Sequence, residues 1–238
     1  MIKRCLASSV SWISVVQMRD VERAAIELGL THTRIMENAG ANLAWLASTM
    51  LGGEVVGRRI TVLAGPGGNG GGGLVAARRL IGWGADVAAR LATDPADLAG
   101  VPLEQFCLLD QMGASIGVGA SGLGVAELFI DAILGYGQRG NPQGDAAALV
   151  AATAGSTVLS LDVPTGLELE SGIVGEPAVR AAATLTEASP KEALRAEAAR
   201  PLVGDLYLAD ISIPPTVYDR VGITYQSPFS GSPIVRLV

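Results

Sequence analysis

Ile60-Thr61-Val62-Leu63-Ala64-Gly65-Pro66-Gly67-Gly68-Asn69-Gly70-Gly71-Gly72-Gly73-Leu74-Val75-Ala76-Ala77-Arg78-Arg79-Leu80 decides the fold. Its first five residues form a short apolar run bounded by turn residues, which reads as a buried strand. From Leu74 the composition is that of a helix, expected over residues 73–82. Between them stand seven glycines in nine residues. Glycine gives up packing and costs backbone entropy, so this density implies a main chain that turns sharply and admits a close neighbour. Unpaired N–H groups at a helix N-terminus, with the helix dipole behind them, favour an anion in that place. The stretch therefore predicts strand, glycine loop and helix, with a phosphorylated small molecule as ligand.

The same rhythm continues outward. Strand-like runs follow at 86–92, 114–118, 125–131, 157–161, 183–188 and 205–209. Helical stretches lie at 102–112, where Pro102 suits a first turn, and at 144–154. Two helices precede the first strand of the series. One covers 15–28, opened by the capping-box pattern Ser14-x-x-Gln17 and stopped by Gly29. In the other, Ile35, Met36, Ala39, Leu43, Leu46 and Met50 recur at helical steps until Gly52-Gly53. This alternation predicts an α/β fold with a parallel, doubly wound sheet.

Ligands of such sheets sit beyond the carboxyl ends of the strands. Besides the glycine loop, two strand ends stand out. Phe129-Ile130-Asp131-Ala132-Ile133-Leu134-Gly135-Tyr136-Gly137-Gln138-Arg139-Gly140 puts a carboxylate at a strand end before a second glycine-rich turn. Leu159-Ser160-Leu161-Asp162-Val163-Pro164-Thr165-Gly166 delivers Asp162 directly into a turn. Asp131 reads either as a helix cap or as a site carboxylate, and Asp162 either as an Asx-turn residue before Pro164 or as a site carboxylate. If the three ends converge on one crevice, the Asn69 carbonyl, Asp131 and the Thr165 hydroxyl supply oxygens suited to a hard cation. Lys191, the only interior lysine, reads as a surface charge or a phosphate contact.

Composition narrows the function. At 238 residues the chain is expected to form one domain over 1–238, with about 215–238 as a tail or edge packing. Hydrophobic residues make up 49% and mean hydropathy is +0.40, yet no apolar window reaches the span of about 20 residues that crosses a bilayer. No membrane is expected as a partner. Net charge is −6 with charges scattered, so nucleic acid is not expected either. Cys5 and Cys107 are too few for a disulfide framework or zinc site, which fits a reducing cytoplasm. Met1 to Val16 faintly resembles an export signal, but serines and Trp12 interrupt it and no cleavage site follows. His32, the single histidine, reads as a loop or cap residue rather than a catalyst, which leaves no histidine for a Ser/His/Asp triad, and one histidine is too few for a poly-His metal site. Gly65-x-Gly67-x-x-Gly70 and Gly135-x-Gly137-x-x-Gly140 match the dinucleotide fingerprint literally. The ribose-binding acid is missing at its spacing, Asp94 being too distant, which disfavours an ordinary NAD dehydrogenase.

Along nearly its whole length the chain resembles the NAD(P)H-hydrate epimerase family, the YjeF N-terminal domain fold. Gln17 to Glu22 and Met36-Glu37-Asn38-Ala39-Gly40 are similar to its two N-terminal helix motifs. Gly65 to Arg78 is similar to its G-x-G-N-N-G-G-D-G-L-x-A-A-R, and Asp131 to Gly137 to its D-A-x-F-G-x-G. Asp162 to Gly166 matches D-x-P-S-G, and Gly204 to Ile211 its late strand. The resemblance implies a Rossmann-like three-layer α/β/α sandwich with a mostly parallel central sheet. It implies an isomerase that interconverts R and S forms of NADHX or NADPHX, hydrated at C6 of the reduced ring, without a redox cofactor. Asn69, Asp131 and Thr165, the last where the family has serine, would hold a potassium ion. Gly68, Asn69, Gly70, Gly71 and Gly72 would cradle the nicotinamide nucleotide, together with Gly135, Tyr136, Gly137, Gln138, Arg139, Gly140 and Asn141. Asp162 would sit at the reacting end as acid and base, protonating the leaving hydroxyl and deprotonating the returning water. A homodimer is expected, working with a separate NAD(P)HX dehydratase. Gly68 and Gly72 replace the family's asparagine and aspartate. They delete oxygen-bearing side chains from the ligand loop, which leaves a weakened enzyme, or a noncatalytic ligand-binding or scaffold protein, as the alternative.

Overall fold

In the computed structural model, which describes residues 2–238, the glycine stretch joins β2 (Arg59–Ala64) to α3 (Gly68–Gly82). Along β2, Ile60, Val62 and Ala64 pack on one side while Leu63 packs on the other. Its neighbour β5 (Leu128–Ala132) divides in the same way, with Leu128, Ile130 and Ala132 opposite Phe129. Strands apolar on both faces need cover on both. One side is covered by α2 (His32–Met50), α3 and α4 (Gly100–Gln111), which contribute Leu43, Leu46, Leu74, Leu80 and Leu109. The other is covered by α5 (Gly144–Ala152), through Leu149 and Val150. The result is the expected three-layer α/β/α sandwich.

The remaining strands are β1 (Lys3–Cys5), β3 (Asp86–Leu91), β4 (Ser115–Val118), β6 (Val158–Leu161), β7 (Ala183–Glu187), β8 (Asp205–Ala209) and β9 (Ile234–Leu237). They form one sheet in the order β1-β9-β8-β7-β6-β5-β2-β3-β4. Every neighbouring pair is parallel except β8 with β9. From β2 the chain winds outward through β3 and β4, then returns with β5 on the other side of β2. The winding reverses there, and Ala64 pairs with Ala132 so that the two strand ends finish level. A crevice opens at such a reversal.

Three expectations needed adjustment. The helix expected over 73–82 begins at Gly68, so most of the glycine run is the first turns of α3. Low helix propensity hid this start, and packing explains it. A Cβ on Gly70 would lie 1.8 Å from the Gly65 carbonyl oxygen, and one on Gly73 2.5 Å from Ala132 Cβ. The glycines thus admit the protein's own strands as the close neighbour. The strand expected over 125–131 is confined to Leu128–Ala132. At the C-terminus, α7 (Pro215–Arg220) packs Val217 and Tyr218 into a buried cluster that includes Met18 and Val21. Beyond it, β9 lies between β1 and β8 with Ile234 and Val235 fully buried. The N-terminal stretch that faintly resembles an export signal holds β1, and α1 (Val15–Leu28) carries both bonds of the Ser14–Gln17 capping box. No helix among the described residues is long and apolar enough to cross a membrane.

If close packing sets the position of α3, Gly73→Ala will cost about 1–3 kcal/mol by overpacking. Gly82→Ala, at a helix end with open space around it, will be neutral or stabilising. Chemical denaturation of the two variants measures the difference.

Candidate functional site

A cavity of about 400 Å³ opens at the reversal point, within the usual size range of small-molecule sites. Gly67, Gly68 and Asn69 contribute from the start of α3, and residues 133–138 from the turn after β5. Asp162 follows β6, and Glu187 and Lys191 come from the end of β7. Met18 and Glu22 of α1, Met36 of α2 and Ile211 complete the wall.

The ends of β6 and β7 are built alike. Asp162 has φ 62°, and across it the Val163 N–H donates to the Leu161 carbonyl at 2.7 Å. Ala188 has φ 61°, and across it the Ser189 N–H donates to the Glu187 carbonyl at 2.6 Å. Three-residue turns of this kind are strained, and both occur where a strand gives its last residues to the cavity. Lys191 follows the second turn. Its backbone is held by Ile13, whose N–H donates to the Pro190 carbonyl at 3.0 Å and whose carbonyl accepts from Glu192 N–H at 3.0 Å.

Lys191 is not the surface charge its sequence context allowed. It is 1% exposed, and its ammonium pairs with Asp162 Oδ1 while also donating to the Glu187 carbonyl at 3.0 Å. Asp162 is 3% exposed. Its Oδ1 also accepts from Thr186 Oγ1 at 3.3 Å, and its Oδ2 accepts from the Tyr136 N–H at 3.2 Å. Asp162 is thus bound to three structural elements as a carboxylate with a dedicated cation. Tyr136 donates its hydroxyl to Glu22, and burial, reinforced by Glu22, pushes that phenol well above its ordinary range.

Glu187 is a site residue that the sequence reading missed. It lines the cavity, and its Oε1 is buried without a hydrogen-bond partner. Burial, and then the charge of Asp162, push its carboxyl from an ordinary 4.5 up to about 8, against the opposing pull of Lys191. A signal existed, since Glu187 ends a strand of the same parallel sheet as Asp131.

Asp131 and Thr165 come together deep beside the cavity. Asp131 is fully buried. Its oxygens accept from Thr165 Oγ1 at 2.7 Å, Thr165 N–H at 2.8 Å, Ser160 Oγ at 2.8 Å and Ile133 N–H at 3.3 Å. All four donors are neutral. Burial raises this carboxyl above its usual range, with the hydrogen bonds partly offsetting it. Thr165 Oγ1 also accepts from the Leu134 N–H at 3.1 Å. Asn69 packs on the other side of this turn, against Gly135, with its Nδ2 buried and unpartnered. The described residues contain no cluster of three His, Cys, Asp or Glu side chains able to hold a metal. Oxygen donors around one uncompensated carboxylate nevertheless fit a monovalent cation in their chemistry.

The glycine segment divides. The first intrahelical bond of α3 runs from Gly71 N–H to the Gly67 carbonyl at 3.1 Å, so the amides of residues 68–70 precede the ladder, and of these residues Gly68 and Asn69 line the cavity. Gly70, Gly71 and Gly72 are buried and are not part of the cavity wall. A Cβ on Gly72 would lie 2.9 Å from Leu161 Cδ2, so that position faces the packed side chain of Leu161. A Cβ on Gly68 would meet only Met36 Sδ, at 3.7 Å. Gly135, Tyr136, Gly137 and Gln138 line the cavity. Gln138 is committed to the 164–167 turn, donating to the Leu167 carbonyl at 2.6 Å and accepting from the Gly166 N–H at 2.8 Å. Arg139, Gly140 and Asn141 lie outside the wall. Arg139 pairs with Glu168 and Glu170, the Gly140 N–H donates to Glu168, and Asn141 accepts from the Glu176 N–H. His32 is the first residue of α2, exposed, with Nδ1 3.7 Å from Glu22.

Comparison with known proteins agrees with this architecture. The model of a family described as YjeF-related protein N-terminus matches residues 32–193. A protein of Dehalogenimonas lykanthroporepellens named NAD(P)H-hydrate epimerase is 41% identical over 96% of this chain and 94% of its own. A bifunctional NAD(P)H-hydrate repair enzyme of Moorella thermoacetica is 34% identical over 85% of this chain, and the match spans only 40% of that protein. Among solved structures, yeast ynu0 superposes with a TM-score of 0.79 at 20% identity, over 96% of this chain and 100% of that one.

Two consequences of the buried charges are measurable. Lys191→Met leaves Asp162 without its cation and is expected to cost about 3–5 kcal/mol in chemical denaturation. Glu187 has a folded pKa raised from 4.5 to about 8. Its contribution to stability is therefore complete below about pH 4.5 and is lost as pH rises to about 8. Glu187→Gln is expected to flatten that part of the stability profile.

Proposed function

The chain belongs to the YjeF-related N-terminal family, and on that footing we propose that it is an NAD(P)H-hydrate epimerase, interconverting the R and S forms of NADHX and NADPHX. The observation that carries this reading is Asp162, a buried carboxylate paired with Lys191 and aimed into a cavity at the sheet's reversal point. Loss of the C6 hydroxyl leaves a cationic ring iminium, and an anionic carboxylate beside it lowers the energy of that intermediate. When water returns to the opposite face, Asp162 accepts its proton. No electrons are transferred, so neither a redox cofactor nor a histidine is needed. The Tyr136 N–H holds the carboxylate, and Thr186 and Lys191 fix its orientation. The amides of Gly68 and Asn69, at the start of α3, suit the nucleotide's phosphates.

Asn69, Asp131 and Thr165 are the residues that would hold a potassium ion. Bound there, it would supply positive charge to a buried carboxylate whose present donors are all neutral. The same reading makes the protein a cytoplasmic homodimer. It also gives it an NAD(P)HX dehydratase as functional partner, a reading supported by relatives named bifunctional NAD(P)H-hydrate repair enzymes. Gly68 is the one of the two glycine departures that borders the cavity, and a Cβ there meets only Met36 Sδ at ordinary contact distance.

Three measurements test this reading. Chromatographic exchange of purified NADHX epimers will be accelerated by the protein, and Asp162→Asn will lower that rate about a hundredfold or more while binding changes far less. Equal loss of binding and rate would make Asp162 a positioning group. Potassium chloride will raise the melting temperature more than choline chloride does, by a few degrees per kcal/mol of binding. Asn69→Ala and Asp131→Asn will each abolish the difference. Finally, Gly68→Asn will raise exchange or affinity about tenfold, as one hydrogen bond to a charged group allows, with little change in melting temperature. Gly72→Asp will lower that temperature.

A further inference from the structure

The cavity contains one buried ammonium and more than one carboxyl. Lys191 Nζ is committed to Asp162 Oδ1 and to the backbone carbonyl of Glu187, not to the Glu187 carboxyl. Glu187 stands at the end of β7 with Oε1 buried and unpartnered. The charged groups facing it are Asp162 from the end of β6, Lys191 from the turn after β7, and Glu22 from α1. Tyr136 shares the cavity, but its hydroxyl is committed to Glu22. Ionising both Asp162 and Glu187 would put two negative charges against one cation in a largely apolar pocket. Like charges in such a place push one carboxyl to keep its proton. The group that keeps it is the one without a cation, hydrogen bond or solvent at its buried oxygen.

We propose that Glu187 is a second catalytic carboxyl of this cavity, the neutral acid that hands a proton to the departing C6 hydroxyl of the nicotinamide hydrate. The proposal rests on the epimerase reading and divides its chemistry between two residues. The Glu187 proton moves to the hydroxyl oxygen as the C6–O bond breaks. The bonding pair leaves with oxygen as water, and the ring nitrogen's lone pair forms the C=N bond of the iminium. Water then adds to C6 from the other face, giving up a proton to Asp162, while the nitrogen recovers its lone pair. Proton return from Asp162 to Glu187, through water, restores the starting state. Atoms and electrons balance with no co-reactant. Two carboxyls whose surroundings push their proton affinities apart serve as acid and base in this way. A carboxyl kept only for packing gains nothing from an unpartnered oxygen, which costs stability.

Glu187→Gln tests this, because glutamine has the shape of the neutral acid and keeps the fold. NADHX epimer exchange is followed across the pH range in both proteins, alongside infrared titration of carboxyl bands. The wild-type protein is expected to show a protonated-carboxyl band that titrates near pH 8 and is missing from Glu187→Gln. Its kcat is expected to fall above that pH. Glu187→Gln is expected to lose about a hundredfold in kcat, with KM little changed and the alkaline limb gone. Glu187→Asp is expected to recover part of the rate. If the wild-type protein exchanges the epimers and Glu187→Gln does so equally fast with the same pH limb, the acid role is overturned while the epimerase reading stands. If Glu187→Gln loses no carboxyl band that titrates near pH 8, the acid role is overturned as well. If the wild-type protein leaves exchange at its uncatalysed rate, the epimerase reading fails and the acid role falls with it.

Discussion

The closeness of α3 to the strand ends governs the rest of the molecule. At Gly70 and Gly73 a single Cβ would overlap the Gly65 carbonyl and Ala132, so the helix rests on β2 and β5 at a distance no side chain permits. That contact brings the first amides of α3 to the point where the sheet's winding reverses. It also sets Asn69 against Gly135, which fixes the turn carrying Tyr136 into the cavity. Backbone, rather than side chains, therefore forms the floor on which the ligand's phosphates are proposed to rest.

Charge is the second constraint and acts on this floor. Burying Asp162 is tolerable because Lys191 is buried with it, and isolated charges are not accommodated in such surroundings. The lysine comes from a neighbouring strand end and is placed by the β-bridge of its backbone to Ile13. The N-terminal segment thus contributes to the site without lining it. Glu187 completes an unequal count of charges, and Asp131 adds a separate buried carboxylate with neutral donors only. The pocket is consequently suited to moving protons and stabilising a cation, and the ionisable side chains that line it are carboxyls, one lysine and one tyrosine.

Local pattern revealed much of this. Alternating runs, the Ser14–Gln17 box, and carboxylates or glycines closing their strands identified the layers, the parallel sheet and the positions of Asp131 and Asp162. What stayed hidden was set by tertiary contact. Glycine's poor helix propensity masked the start of α3, since only the packed strands show why glycine is required there. Lys191 gave no local sign of burial, because its partner lies 29 residues away in sequence. Glu187 was legible in principle as the carboxylate closing a strand, but its significance depends on Lys191 being engaged elsewhere. The direction in which Gly72 faces, toward Leu161 rather than the cavity, likewise depends on the helix beginning at Gly68.

The central claim is that water leaves C6 and returns to its other face between two carboxyls of unlike protonation. The most direct measurement is isotope content at C6 after enzymatic exchange in water enriched in oxygen-18. Starting from one NADHX epimer, the account predicts that the opposite epimer carries the heavy oxygen from its first appearance, and that in deuterium oxide the C6 hydrogen is retained. Opposite epimer that keeps its original oxygen, or that gains deuterium at C6, would contradict the account.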